Sequence, residues 1–450
     1  MTVRAERNLT EGSIPRHVFA LAVPSILSTV IHNLYGLNDI YFSKYVGTFA
    51  QTAVSNNLFT LISVFGIIQL SAIGTLALVS RRTGAGNEEG ADRAARQGVL
   101  FALVLSVIIA VAGWFTAPLV AVLMKMAPEV TRESTIYLRI VFVGMPAIFL
   151  PPVLDMIYRG RGDTRTPLIL QIAAVAVNLV GNAIAVWWLD AGIAGIAIST
   201  VLSRLTAAVL GLWWLKRGRV GLRLARRSGR FFDTALWEKI AKVSAPIALR
   251  TLLFGIIYQF ISGIAADFGT TVQNGLGVAI RMEGFCWFVF VGFAMAAGPM
   301  VGQNLGAGKP DRAAKGAWTT VLMAVPGALF FTLVFAAWPR EVIDVFAADA
   351  ETASWGAAYL RVVSIAMVFS AVDVVMAQSF TGAGDTVPPS LIDIPLTVAR
   401  VPVAWALAIP AGLGPLGIWW TITGSAVLKG IFLALWFARG KWKRARPDLD

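Results

Sequence analysis

Twelve long apolar runs restrict this chain more tightly than any other feature. They centre on residues 18–40, 50–79, 97–118, 135–157, 166–189, 192–215, 240–266, 272–302, 316–338, 355–378, 388–410 and 414–437. A helix needs about 20 apolar residues to cross the hydrocarbon core of a bilayer. Inside lipid every backbone N–H and C=O must find its partner within the protein, so only helices and closed barrels can span it. Barrel strands alternate apolar and polar residues over about ten positions. The stretch from Leu168 to Leu189 is apolar on nearly every face, so the runs are predicted to be helices. Composition agrees, because only 14% of residues are charged, against roughly 25% in soluble proteins. The expected fold class is an all-α membrane protein with twelve transmembrane helices, partnered by a lipid bilayer.

The net charge of +13 would suggest a nucleic-acid partner in a soluble protein. Its distribution supplies a simpler cause. With the N-terminus in the cytoplasm, twenty-seven of the 38 Lys and Arg fall in cytoplasmic loops and tails. Only Lys44, Lys125, Arg132 and Arg340 lie outside, and the rest fall within spans. Basic residues are retained on the cytoplasmic side, so both termini are expected there, in a cell inner membrane, with no nucleic acid bound. Cys286 is the single cysteine, which excludes an internal disulfide. Met1 to Pro15 is polar and shows no cleavable signal pattern. The first span is therefore expected to be an uncleaved anchor.

Several landmarks recur 222 residues apart: Pro24 with Pro246, Gly84-Ala85-Gly86 with Gly306-Ala307-Gly308, and Tyr137-Leu138-Arg139 with Tyr359-Leu360-Arg361. Gly160-Arg161-Gly162-Asp163-Thr164 matches Gly382-Ala383-Gly384-Asp385-Thr386, and Gly195-Ile196 matches Gly417-Ile418, at the same spacing. A short indel breaks the register once, where Asp92 to Ala95 meets Asp311 to Ala314. Five ordered matches at one spacing indicate two homologous halves of six spans each. An even number of spans makes the repeat parallel, with its pseudo-two-fold axis along the membrane normal. The expected organisation is a cytoplasmic tail (1–14), an N-terminal six-helix lobe (15–217), a flexible Arg-rich linker (218–237), a C-terminal six-helix lobe (238–438) and a basic tail (439–450). Gly-x-Gly-Asp-Thr followed by Pro is good chemistry for ending one helix and starting the next. Arg161-Gly162-Asp163 spells an adhesion tripeptide, but the expected topology places it in the cytoplasm.

Known catalytic patterns are missing. Gly306-Ala307-Gly308-Lys309 looks like part of a phosphate loop, but Pro310 follows where Ser or Thr is required, and Gln303 stands where Gly is required. Two His in the whole chain cannot build a zinc cluster, and no Gly-x-Ser-x-Gly elbow occurs. No cofactor is expected, and a membrane enzyme is the weakest reading.

The stretch Gly302 to Ala313 resembles the loop after the eighth span in the multidrug and toxin extrusion (MATE) family. Ile280 to Phe285, Gly160 to Pro167 and Gly382 to Pro388 are similar to prokaryotic members, and the resemblance runs from Pro24 to Gly417. It implies a V-shaped pair of six-helix bundles that exports cationic or amphipathic compounds, drugs or metabolites, by alternating access. Inward flow of H+ or Na+ would drive export, and a monomer is expected. A lipid-linked precursor flippase of a related superfamily is the second reading. Such proteins often carry extra spans and a strongly basic central cavity, which this sequence does not suggest.

An ionisable group inside a membrane is costly and marks function by default. Asp39 is the first candidate. His32, Tyr35 and Asp39 stand at i, i+3 and i+7, on one helix face. The resemblance places an Asp here in related proteins. Gln171, Asn178 and Asn182 share a face of span five and are the expected partners, although interhelical hydrogen bonding alone would explain the two Asn. The family pattern has Asp where this chain has Asn182. One carboxylate among amides is a weak Na+ cage, whereas a lone buried Asp suits proton exchange. H+ is therefore favoured, with Na+ at Asp39 the alternative and no firm metal site. At the same spacing, Asp39 aligns with Ile261, Asn178 with Arg400 and Asn182 with Ala404, so the C-terminal half lacks this set. Asp373 and nearby Gln378 in span ten are second-tier cavity candidates, together with His32, Tyr35 and Gln171. Arg281 and Glu283 are expected to pair with other helices. The Trp pairs 187–188, 213–214 and 419–420 are expected at the membrane interfaces.

Overall fold

The computed structural model describes residues 8–123, 126–218, 220–221, 231–345 and 349–444. Tail residues 1–7 and 445–450, linker residues 222–230 and Lys125 lie outside the described residues.

Every regular element among the described residues is helical. The first half contains α1 (Ile14–Val46), α2 (Thr48–Gly84), α3 (Glu88–Leu123), α4 (Pro128–Val143), α5 (Met145–Gly160), α6 (Arg165–Ala183) and α7 (Gly192–Lys216). The second contains α8 (Thr234–Ala266), α9 (Thr270–Gly306), α10 (Pro310–Ala337), the short α11 (Pro339–Asp344), α12 (Ala350–Val363), α13 (Met367–Gly382), α14 (Val387–Ala408) and α15 (Pro415–Ala438). Among the described residues, eleven segments are long and apolar enough to cross a membrane, or twelve if α4 and α5, bent by 56° across Gly144, form one span. The matching join in the second half is a 3-10 turn, Ser364–Ala366, between α12 and α13. A Cβ at Gly144 would lie 2.3 Å from Val201 Cγ2, so the bend lets α7 pack where a larger residue would hold it off.

The 222-residue repeat is written into the backbone. Positive φ recurs at Gly47 and Gly269, Gly86 and Gly308, Gly162 and Gly384, Gly192 and Gly414, and Gly218 and Gly440. Asp190, the one non-glycine with positive φ among the described residues, matches Gly412. Asp163 shows why the repeated loop reads Gly-Asp-Thr. Its Oδ1 accepts from the backbone N–H of Arg165 at 2.9 Å and of Thr166 at 3.0 Å, satisfying donors left open at the start of α6. Arg161 is buried, donating from Nε to the Val220 carbonyl at 2.9 Å and pairing with Glu88 Oε2 at 2.9 Å. Burial pushes its guanidinium down to about 10. The Arg161-Gly162-Asp163 tripeptide is therefore committed to local structure.

The chain forms two compact units. One unit contains Leu27–Ala245; the other contains Leu9–Ile26 together with the chain from Pro246 onward. Both borders thus fall inside helices, beside Pro24 in α1 and at Pro246 in α8. Proline removes an intrahelical hydrogen bond, which weakens the link between the two halves of each helix. Other contacts fasten the leading halves. Asn304 Nδ2 donates to the Leu9 carbonyl at 3.1 Å, and Arg312 Nη2 donates to the carbonyls of Glu11 at 2.7 Å and Gly12 at 2.9 Å. Leu9 is fully buried among Leu21, Ala22, Ala296 and Met300. In the other unit, Gln97 Nε2 donates to the Phe231 carbonyl at 3.0 Å, and Arg93 pairs with Asp233. The end of the linker, expected to be flexible, is therefore tied down at residues 231–233.

Small residues bring helices together, as is usual where lipid removes the hydrophobic drive for association. A Cβ at Gly382 in α13 would lie 2.1 Å from the Gly298 carbonyl oxygen in α9, and one at Gly74 in α2 would lie 2.2 Å from that of Ile240 in α8. The aromatic expectation needs one correction. Trp187, Trp188, Trp213 and Trp420 are exposed, but Trp419 is fully buried. It packs edge-on against Tyr359 with ring centroids 5.4 Å apart, because α15 turns that face into its own bundle.

Candidate functional site

Asp39 sits in the second half of α1 and is buried. Helical spacing in α6 carries Asn178 and Asn182, one turn apart, to the same carboxylate oxygen. Asn182 Nδ2 donates to Asp39 Oδ1 at 2.8 Å, and Asn178 Nδ2 donates to it at 3.1 Å. Thr200 Oγ1, from α7, donates to Asp39 Oδ2 at 2.8 Å. Asn178 is held in turn, its Oδ1 accepting from Asn38 Nδ2 at 2.6 Å and its carbonyl from Ser199 Oγ at 3.1 Å. The Tyr35 hydroxyl donates to the Thr200 carbonyl at 2.9 Å and also meets Ser203 Oγ. The Arg204 guanidinium lies 4.1 Å from the centre of the Tyr35 ring. A π-helical turn, Ile184–Trp188, follows α6 just after Asn182, with Ala185 buried and Trp187 and Trp188 exposed.

The expected set is thus largely brought together. Asp39, Asn178 and Asn182 meet directly, and Tyr35 reaches them through Thr200. Gln171 and His32 form a separate exposed contact of 3.5 Å between Nε2 and Nδ1, one or more turns nearer the N-terminal end of α1. Sequence reasoning missed Thr200, Ser203, Arg204 and Asn38. Ser199, Thr200, Ser203 and Arg204 form a polar stripe on otherwise apolar α7, and that stripe was the available signal.

The donors around Asp39 present N–H and O–H groups, not a ring of oxygens. Asn182 Oδ1 is buried without a hydrogen-bond partner, so one amide oxygen is unused. Among the described residues no three His, Cys, Asp or Glu side chains gather in a metal-sized group.

The second-tier pair fares differently. Asp373, in α13, has a buried Oδ1 without a hydrogen-bond partner, and no hydrogen bond joins it to Gln378. Its surroundings are ionic: Asp393, Arg250, Lys429 and Arg400 all act on it. Arg250 pairs with Asp393, and Lys429 Nζ stands 3.2 Å from Asp393 Oδ1. Glu283 pairs with another helix as expected, accepting from the Tyr359 hydroxyl at 2.7 Å. At the position matching Asn178, Arg400 donates to Ser425 Oγ at 2.6 Å and to the Tyr258 hydroxyl at 3.1 Å. The two halves therefore share a backbone plan but not a polar site.

Comparison with known proteins adds to this geometry. The family model described as MatE matches the chain twice, over residues 24–184 and 246–406. A probable multidrug resistance protein NorM from Thermotoga maritima is 23% identical over 444 residues, covering 96% of this chain and 94% of that protein. The multidrug export protein MepA from Staphylococcus saprophyticus is 21% identical, covering 92% of this chain and 91% of its own length. The outward-facing structure of a multidrug resistance MATE family transporter of the MOP superfamily matches with a TM-score of 0.90 at 21% identity, covering 99% of this chain and 100% of that one.

Proposed function

The chain belongs to the MatE family of multidrug efflux transporters, and from that premise we propose that it exports cationic or amphipathic small molecules in exchange for inward-moving H+, with Asp39 as the coupling group. Members of the family are transporters, not enzymes, and this chain is a multi-pass membrane protein. The orientation supported by the charge distribution places both termini in the cytoplasm.

One observation carries the choice of Asp39: it is a buried membrane carboxylate whose three donors are all neutral side chains, with no cation in contact among the described residues. Its charge is therefore free to be cancelled by something that comes and goes. The Thr200 contact favours a proton for that role. A hydroxyl both donates and accepts, so a proton arriving on Asp39 Oδ2 needs only the reversal of one hydrogen bond. Sodium would need several oxygens turned inward, whereas two amides here present their NH2 groups.

In the cycle, ionised Asp39 supplies the attraction that holds a cationic compound on the cytoplasmic side. On the outer side a proton neutralises it, the attraction falls and the compound leaves. A ligand shifts such an equilibrium only by its differential affinity for the two states, and the carboxyl charge is that difference. The test uses everted vesicles, whose cytoplasmic face is outside, with ethidium added to the medium as a fluorescent cation. A pH gradient alone should drive dye movement, and a Na+ gradient alone should not. Movement driven only by Na+ would reverse the choice of ion, and movement under neither gradient would reject ion-coupled export of this cation.

A further inference from the structure

We propose that the C-terminal unit carries a second ligand subsite, built on Arg250, Asp393 and Lys429, that takes an organic carboxylate. It deepens the export reading above, on which it rests, by naming the residues that would receive a ligand's carboxylate.

The charges do not balance at contact distance. Asp393, on α14, holds two cations: Arg250 from α8 on Oδ2 and Lys429 from α15 on Oδ1, the latter at 3.2 Å. Lys429 is further fixed by a 2.6 Å hydrogen bond to Thr397 Oγ1. Asp373 acts on Arg250 and Lys429 through space from α13 without an ion pair to either, and Arg400, whose hydrogen-bond partners are neutral, acts in the same way on Glu283. At contact distance, therefore, two cations share one carboxylate, and the guanidinium is not fully engaged by it.

Exposure identifies which cation would offer it. The side chains of Asp393 and Lys429 are 2% and 9% exposed, but that of Arg250 is 32% exposed. Arg250 stands near the middle of α8, a 33-residue helix. An arginine at such depth faces a bundle interior or a water-filled space, since lipid contact is prohibitively costly. Its guanidinium carries five N–H donors in a flat fork. Asp393 engages Nη1, and the remaining edge suits a second carboxylate, which arginine binds in two-point fashion. Lys429 behind Asp393 keeps that carboxylate neutralised when Arg250 turns part of its charge to a ligand. The N-terminal unit offers the opposite chemistry, an acid in Asp39 held by neutral donors.

The experiment measures equilibrium binding of two dyes to the purified full-length protein by fluorescence anisotropy. One is a rhodamine with a free carboxylate, and the other is the methyl ester of the same dye, so both carry the same cation. The wild type should bind the free acid roughly 10-fold more tightly than the ester. Arg250→Gln should collapse that ratio to about one, and Arg250→Lys, which keeps the charge but loses the fork, should leave an intermediate ratio. Should the Gln variant fail to fold, benzoate competition on the wild type gives the same answer: it should displace the acid dye and spare the ester. Equal affinity of the wild type for both dyes, a ratio that survives Arg250→Gln, or benzoate displacing both alike would overturn the subsite. Asp39→Asn should weaken both dyes by one factor and leave the ratio intact. Unchanged binding of both dyes by that variant would count against the role of Asp39 and not against the carboxylate subsite.

Discussion

Replacing Asp39 by Asn should abolish pH-gradient-driven export and leave folding essentially intact. The wild-type carboxylate accepts from Asn182 at 2.8 Å, Asn178 at 3.1 Å and Thr200 at 2.8 Å. Hydrogen bonds to a charged group contribute about 1.5–3 kcal/mol each, against about 0.5–1.5 for neutral ones. Loss of charge thus removes on the order of 1 kcal/mol per bond, or about 3 in all. Removing a buried charge returns a desolvation cost of several kcal/mol, which offsets that loss. An Asn side chain can keep all three contacts, with its oxygen toward the two amides and its NH2 toward Thr200, whose hydroxyl then accepts. Thermal unfolding in detergent should therefore show a midpoint equal to or above that of the wild type. Dye export in everted vesicles should fall to the level of vesicles without the protein. Thr200→Val is the control for packing: it keeps the charge but strips the donor from Oδ2, which should cost about 1–3 kcal/mol and lower the unfolding midpoint. Wild-type export by a well-folded Asp39→Asn protein would refute the assignment of Asp39 as the coupling group.

Four further outcomes are expected. Gly382→Ala, whose new methyl would lie 2.1 Å from the Gly298 carbonyl oxygen, should destabilise the C-terminal unit by about 1–3 kcal/mol through overpacking, seen as a lower unfolding midpoint. Leu9→Ala empties a fully buried position and should cost about 2–5 kcal/mol; with Arg312→Gln, it should also speed proteolysis of the N-terminal segment. Asp393→Ala, which strands two cations, should lower the unfolding midpoint well beyond Lys429→Ala, which leaves the Arg250 pair in place. Outside the spans, the Thr352 backbone N–H holds the Asp349 carboxyl below the usual carboxylate range. Its capping contribution should be complete above that ordinary range and disappear as pH falls through the depressed value, and Asp349→Ala should remove that part of the acid dependence of unfolding.

Legibility differed sharply between backbone and side chains. The helical class, the spans and the repeat followed from sequence because lipid permits few backbone solutions and because loop glycines must sit where φ is positive. Gly86 and Gly308, or Gly162 and Gly384, announce their conformation by identity and spacing. Asp39, Asn178 and Asn182 were legible for a related reason: polar residues are conspicuous on apolar helices, and helical periodicity assigns them to faces.

Tertiary packing decided the rest. Sequence periodicity could not tell that α7 would bring Thr200 to the second oxygen of Asp39, since two helices with polar faces can meet at many rotations. It could not show that Asp373 stands among Arg250, Asp393, Lys429 and Arg400, contributed by three other helices. Nor could it show that the units divide beside Pro24 and Pro246. Local backbone chemistry fixes what each segment becomes, because its constraints act between neighbours in the chain. Which charges meet depends on contacts between different helices, as between Arg250 and Asp393, 143 positions apart, and only the packed bundle sets those distances.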